Sequence, residues 1–325
     1  MTDSTQLLGI SNAIVDVLSH IDDGFLDKIG AAPGSMTLID EARAREIYTM
    51  MGPATEMSGG SVANTIAGFA NLGGSAAYIG RVKADQLGTI FNHDMRSLGV
   101  DIRLQASKDG PSTAHSHVLI SPDGQRTMQT YLGACTTLGV ADITPKTIGA
   151  PKAILLEGYI WDLPEGPDLA RRAMDIATEN GTTVALSLSD SLCVERHLAA
   201  FEEAVQDGVD IVIADEDEIN ALLQTDSFEE TLDAIRGYTN LFAMTRSEKG
   251  SVILRGDLQI VQDAAPVAKV VDSTGAGDAY CAGFLYGWVN DRPLPECARL
   301  GTFCATKVIR QVGGRIERGL LDDYT

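Results

Sequence analysis

The chain has 325 residues, 44% of them apolar, and a formal net charge of −20 at pH 7. Its length and apolar share support a large core. The acidity excludes a nucleic-acid reader, which needs Lys and Arg patches, and disfavours anionic membrane surfaces. A polyphosphate ligand would therefore have to be neutralised locally, by metal ions or backbone amides.

Five cysteines, Cys135, Cys193, Cys281, Cys297 and Cys304, show no C-x-x-C spacing. That pattern fits reduced thiols in a cytoplasmic protein better than a disulfide framework or a zinc site. No basic segment precedes an apolar run at the start, so no signal peptide is expected. Residues 57–80 carry no charge. Their Gly, Ser and Asn content makes them a poor membrane span and points to a tightly packed helix with flanking turns.

In chain order, short apolar runs predict strands at Leu7–Ile10, Ala76–Ile79, Ala153–Leu156, Thr183–Leu188, Asp210–Ile213, Leu241–Thr245 and Ser251–Leu254. Helical periodicity fills the gaps near 61–72, 86–98, 165–179, 216–224, 227–237, 278–289 and 295–310. Near-continuous apolar strands alternating with helices predict a mainly parallel sheet covered on both faces. Two segments break the pattern. Residues 12–40 alternate in polarity around Asp22-Asp23-Gly24 and Pro33-Gly34. Residues 112–131 read as a hairpin turning at Pro122-Asp123-Gly124. Together they predict a small antiparallel β lid, 12–40 and 112–131, on a large α/β unit of 1–11, 41–111 and 132–325. His115 and His117 alternate along a lid strand, and neither has metal-ligand spacing to a neighbour.

The stretch "VVDSTGAGDAYCAGFLYGW", 270–288, places Gly275, Ala276 and Gly277 at the mouth of an apolar helix. Glycines there let backbone amides converge, and the helix dipole favours an anion. Asp278 follows in the first turn, where the dipole keeps a carboxylate ionised. A carboxylate beside a bound phosphoryl group has one useful task, accepting the proton of an attacking hydroxyl. The bland alternative is an acid that only stabilises the helix start. Arg126, just after the lid turn, is placed to close over a transferred phosphoryl group, or else is a solvated hairpin side chain.

Asp272-Ser273-Thr274-Gly275-Ala276-Gly277-Asp278 closely resembles the C-terminal D-T-x-G-A-G-D signature of the PfkB, or ribokinase-like, carbohydrate and nucleoside kinases. "GGSVANTIAGFANLGGSAAYIGRV", 59–82, resembles their N-terminal signature. Neither a Walker-type loop nor G-x-G-x-x-G is present. The resemblance covers nearly the whole chain and implies a three-layer α/β/α fold with a β-sheet lid. It makes Asp278 the catalytic base, with the Gly275, Ala276 and Gly277 amides as anion hole. It implies a sugar site of Asn12, Asp16, Gly59, Gly60 and Asn64, in which one Asp16 carboxylate can accept two hydroxyls. It implies nucleotide contacts from Asp272, Thr274, Thr245, Ser247 and Gly250. In "TRSEKG", 245–250, Ser247 stands where the family's T-x-G-x-x-G loop has glycine. "ADEDEIN", 214–220, falls on the family's N-x-x-E element, so Asp215 and Glu218 are the metal residues, Asp215 replacing the usual Asn. The implied cofactors are ATP and Mg²⁺, with K⁺ an option the family uses near the 270s.

Within the family, "GISNAIVDV", "MGPATEMSGGSVANT" and "RTMQTYLGAC" look most like the adenosine kinase branch. Ile14, Met36, Leu38, Met128, Tyr159 and Trp161 are candidates for a purine slot. Three readings stay open: a nucleoside 5′-kinase, a sugar kinase with the same mechanism, and a non-catalytic nucleoside-binding protein. The expected partners are a small-molecule acceptor and ATP, in a monomer or homodimer.

Overall fold

The computed structural model describes residues 5–311 and 313–324. Its strands, in chain order, are β1 (Leu7–Ile10), β2 (Ile14–His20), β3 (Met36–Leu38), β4 (Ala54–Gly59), β5 (Ala76–Ile79), β6 (Asp101–Ile102), β7 (Ala114–Ile120), β8 (Arg126–Tyr131), β9 (Ala153–Glu157), β10 (Thr183–Ser187), β11 (Ile211–Asp215), β12 (Leu241–Thr245), β13 (Ser251–Arg255) and β14 (Leu258–Gln262).

Nine strands form one sheet in the order β14-β13-β12-β11-β10-β9-β1-β5-β6. Pairing is parallel from β6 to β12 and antiparallel only at the β12-β13-β14 edge. Every residue of β1, β5 and β9 is buried, as strands covered on both faces require. Alternate residues feed two cores. Leu8, Ile79, Ile154 and Leu186 pack with Leu169, Ala173 and Phe201 on one face. Leu7, Tyr78, Leu155 and Ile211 pack with Ile66, Phe284 and Cys304 on the other. The result is the expected helix–sheet–helix sandwich.

The strand order reverses at β1. The chain proceeds from β1 to β5 and β6 on one side, then returns to β9 on the other. Open α/β sheets bind ligands outside the carboxyl ends of their strands at such a reversal. Here those ends carry Asn12 and Glu157.

The second sheet has the order β3-β8-β7-β2-β4. The 114–120 and 126–131 hairpin is antiparallel as predicted. Two expectations are corrected. The sheet is mixed, because β2 pairs β7 in parallel and β3 pairs β8 in parallel. Two separate excursions of the chain enter it in the same direction. The 54–59 segment, placed by sequence with the large unit, pairs with β2 instead, Asp16 lying opposite Met57. The Glu41–Met50 helix, capped by Asp40 accepting from the Arg43 N–H, backs this sheet. Its Ile47 joins Ile21, Leu26, Ile29 and Leu119 in a third, small core.

Candidate active site

Two helices aim their N-termini at the reversal point. The first, Ser61–Asn71, starts after Gly60 at φ 92°. A Cβ on Gly60 would lie 2.8 Å from the Asn12 carbonyl oxygen, so the close approach requires glycine. The second, Ala276–Val289, starts after Gly275 at φ 74°. A Cβ on Gly275 would lie 2.5 Å from Gly314 Cα. Gly277 is different. Its Cβ would meet no atom within 4 Å, so nothing in the protein demands glycine there. The bare backbone faces a cleft of about 730 Å³ lined by Ser61, Asp215, Glu218, Thr245, Gly277 and Asp278 among others. Close approach of an anion to that first helical turn is what the missing side chain permits.

Asp278 joins the two helices. Its Oδ1 accepts from Ser61 Oγ at 2.7 Å, and its Oδ2 accepts from Asn64 Nδ2 at 3.1 Å. Thr65 Oγ1 donates to its main-chain oxygen at 3.2 Å. Burial pushes the carboxyl up to about 6, against the hydrogen bonds from Ser61 and Asn64 and the Arg315 charge. Desolvation therefore outweighs those hydrogen bonds and that charge, leaving the carboxyl less acidic than a helix start alone would make it. A base near 6 is ionised at neutral pH yet basic enough to take a hydroxyl proton.

Asp16 stands on β2 beside it. Burial raises Asp16 to about 6, Arg315 and Arg126 pull it down, and Asp278 pushes it up. Its carboxylate lies against Gly59, where a Cβ would fall 2.2 Å from Oδ2. Asn12 is 2% exposed, and its Oδ1 has no hydrogen-bond partner. An orphaned buried acceptor at the strand reversal suits a ligand hydroxyl or amine. The Asn12 N–H donates to Glu157 Oε2 at 2.9 Å, and Val62 N–H donates to Glu157 Oε1 at 3.2 Å. Glu157 thereby ties β1 to the Ser61–Asn71 helix, and burial pushes its carboxyl up to about 7.

On the far side of the cleft, Asp215 and Glu218 cap the Glu216–Leu223 helix reciprocally. Asp215 Oδ1 accepts from Glu218 N–H at 2.8 Å, and Glu218 Oε2 accepts from Asp215 N–H at 3.0 Å. Burial pushes Glu218 up to about 8, with Asp215, Asp190 and Asp278 adding to the rise. Such crowding of acids along a cleft favours a cation. Thr245, Ser247 and Gly250 line the same wall. Ser247 adopts φ 51°, in the left-handed region that favours glycine.

Two predicted residues make contacts other than those expected. Arg126 forms an ion pair with Asp272, the side chains being 11% and 8% exposed. Asp272 also accepts from the N–H groups of Thr274 at 3.0 Å and Gly313 at 2.8 Å. Its carboxylate thus holds the loop around Thr274 and faces the small sheet, and Arg126 reaches Asp272 where a phosphoryl contact was expected. Trp161 is no part of a purine slot. It is 2% exposed and stacks on Phe201 at 4.7 Å within the helical layer. Ile14, Tyr159 and Met128 keep partial exposure, and Met36 and Leu38 are exposed on the edge strand β3.

Sequence reasoning missed Ser61, Glu157 and Arg315. Arg315 Nη2 donates to the Ser58 carbonyl at 2.5 Å and to Ser58 Oγ at 3.0 Å. Its charge acts on both Asp16 and Asp278. The available signal was Gly313-Gly314 directly before a basic residue, a turn able to swing that residue inward.

A pfkB family carbohydrate kinase model matches residues 28–318. The crystal structure of adenosine kinase from Sinorhizobium meliloti is 44% identical, covers 98% of each chain and superposes with a TM-score of 0.92. A probable sugar kinase from Rhizobium etli is 43% identical over 99% of this chain and 98% of its own, also with a TM-score of 0.92. An uncharacterized sugar kinase of Archaeoglobus fulgidus is 29% identical over 76% of this chain and 96% of its own. With the match spanning most of its length, the chain belongs to the pfkB family of carbohydrate kinases, phosphotransferases with an alcohol group as acceptor.

Proposed function

We propose that the protein is an ATP-dependent nucleoside kinase that phosphorylates a primary 5′-hydroxyl, converting adenosine to AMP. The observation that carries the chemistry is Asp278, fixed by Ser61 and Asn64 beside the open amide of Gly277. Similarity to the Sinorhizobium meliloti adenosine kinase over 98% of both chains supports the acceptor. Asp16 and Asn12 bind the ribose hydroxyls and orient the 5′-oxygen toward Asp278. Asp278 takes the hydroxyl proton as the oxygen bonds to the γ-phosphorus and the bond to the β,γ-bridging oxygen breaks, releasing ADP. The first-turn amides around Gly277 hold the charge of the transferred group. Asp215 and Glu218 would hold Mg²⁺ together with the ATP phosphates, and the ion supplies charge neutralisation there. The small sheet acts as a lid that excludes water.

A sugar acceptor is the second reading. The Rhizobium etli probable sugar kinase favours it, being almost as similar as the adenosine kinase. The deciding experiment measures ADP release with Mg²⁺, ATP and a panel of adenosine, other nucleosides, ribose, fructose and keto-deoxy sugar acids. Adenosine should give the highest kcat/KM. Turnover of a free sugar but not adenosine would transfer the assignment. No turnover of any acceptor would leave a nucleoside-binding protein. Asp278→Asn should lower kcat by roughly 10²–10⁴-fold with adenosine binding retained.

A further inference from the structure

We propose that Asp162, Cys193 and His197 form a binding site for a zinc-class transition-metal ion behind the wall of the catalytic cleft. Their ligand atoms lie within 4.8 Å of one another, and no other trio of His, Cys, Asp or Glu among the described residues comes as close. His197 Nε2 is 2.7 Å from Asp162 Oδ1, and Cys193 Sγ is 3.8 Å from Asp162 Oδ2. Ligand atoms around a tetrahedral Zn²⁺ sit about 3.3–3.8 Å apart, so the trio admits the ion once His197 draws back from Asp162 by roughly half an ångström and the widest separation closes by up to about 1 Å. Cys193 and His197 are four residues apart at the end of the Ser191–Arg196 helix, hence on one face. Asp162 closes the turn after β9, 31 residues earlier, which is why no ligand spacing shows in the sequence.

The donor set selects the metal class. Thiolate and imidazole suit Zn²⁺ and its neighbours and are poor ligands for Mg²⁺ or Ca²⁺. The sulfur is buried, whereas the His197 and Asp162 side chains are 28% and 17% exposed. Solvent therefore reaches the side left for a fourth ligand, a water. On binding, the Cys193 S–H proton leaves to solvent, and a neutral His197 carries its proton on Nδ1, freeing Nε2 for the ion. Arg196 donates to both Asp162 oxygens, at 2.8 Å through Nη2 and 3.3 Å through Nε. The longer bond yields, and the shorter one remains as an outer anchor of the carboxylate.

The site joins two segments of cleft wall. Gly158 accepts from the Cys193 thiol at 3.6 Å and donates to Ser189 Oγ at 3.0 Å. Ser189 lines the cleft at a left-handed φ of 74°. An ion held by Asp162, Cys193 and His197 would tie the end of the Ser191–Arg196 helix to the turn that follows β9. Without an ion, Asp162 would simply anchor the Cys193, Arg196 and His197 side chains.

The two pictures separate spectroscopically. The full-length protein, stripped by chelator and kept reduced, is titrated with Co²⁺. One Co²⁺ per chain should produce the near-ultraviolet thiolate-to-cobalt band and the visible bands of a tetrahedral site, both displaced by Zn²⁺. Cys193→Ser should abolish the thiolate band. His197→Gln, altering a side chain that reaches solvent, should weaken Co²⁺ affinity by roughly 10-fold or more, and it decides the matter if the buried serine variant fails to fold. Absence of a thiolate band in the wild type, its survival in Cys193→Ser, or unchanged affinity in His197→Gln overturns the proposal. The readout requires no turnover, so it stands or falls apart from the kinase reading.

Discussion

Arg315 lends its charge to Asp16 and Asp278 while its hydrogen bonds go to Ser58. A positive charge near two half-buried acids favours their ionised forms. Both sit at about 6 in its presence. Arg315→Gln keeps a donor for Ser58 and removes the charge. The acid limb of the kcat/KM profile should then move upward by about one pH unit. Ser61→Ala tests the other support of Asp278, a 2.7 Å hydrogen bond. Losing a hydrogen bond to the ionised form should also raise that limb, with KM for the acceptor little changed. An acid limb that stays put in both variants would assign Ser61 and Arg315 a packing role only. Neither residue was legible in the sequence. Asp278 advertises itself by standing at a glycine-rich helix start, but Arg315 reaches it from a C-terminal loop with no local periodicity.

At the scale of elements, legibility followed burial. Strands β1, β5 and β9, buried along their whole length, were found as apolar runs. The Glu41–Met50 helix was not, because only Ala44 and Ile47 are buried and its remaining face is polar. Strand β4 escaped for a similar reason, since four of its six residues keep some exposure. The loop after β12 shows the converse, a conformation that its sequence does not favour. Ser247 at φ 51° holds a shape that glycine adopts freely. Ser247→Gly should therefore stabilise the protein by about 1 kcal/mol, read as a higher urea midpoint at unchanged slope. A lower midpoint would mean that the serine side chain contributes more than its backbone strain costs.

For the whole molecule, the buried acids and the net charge pull stability the same way. Folded-state burial raises Asp16 and Asp278 to about 6, Glu157 to about 7 and Glu218 to about 8. Unfolded carboxylates titrate near 4. Between those limits the folded chain binds protons that the unfolded chain has released, so stability falls as pH rises from about 4 to about 8. Self-repulsion at a net charge of −20 adds to the loss at high pH. His117 opposes this at the acid end. Burial holds it down at about 4, whereas an unfolded histidine takes its proton near 6.5. Its contribution is lost as pH falls through that interval. The ligand-free protein should accordingly melt higher at pH 6 than at pH 8. Glu218→Gln should flatten the segment above about pH 7 specifically, because that carboxyl titrates last. Mg²⁺ with ATP should raise the melting temperature more at pH 8 than at pH 6, since at pH 8 the cleft acids are ionised and gain most from a cation. A melting temperature that climbs from pH 6 to pH 8 without ligand would mean that these acids do not enter the folded cleft at the cost their burial implies. The link between an acid-lined cleft and a cation-dependent phosphotransfer site would then lose its physical basis.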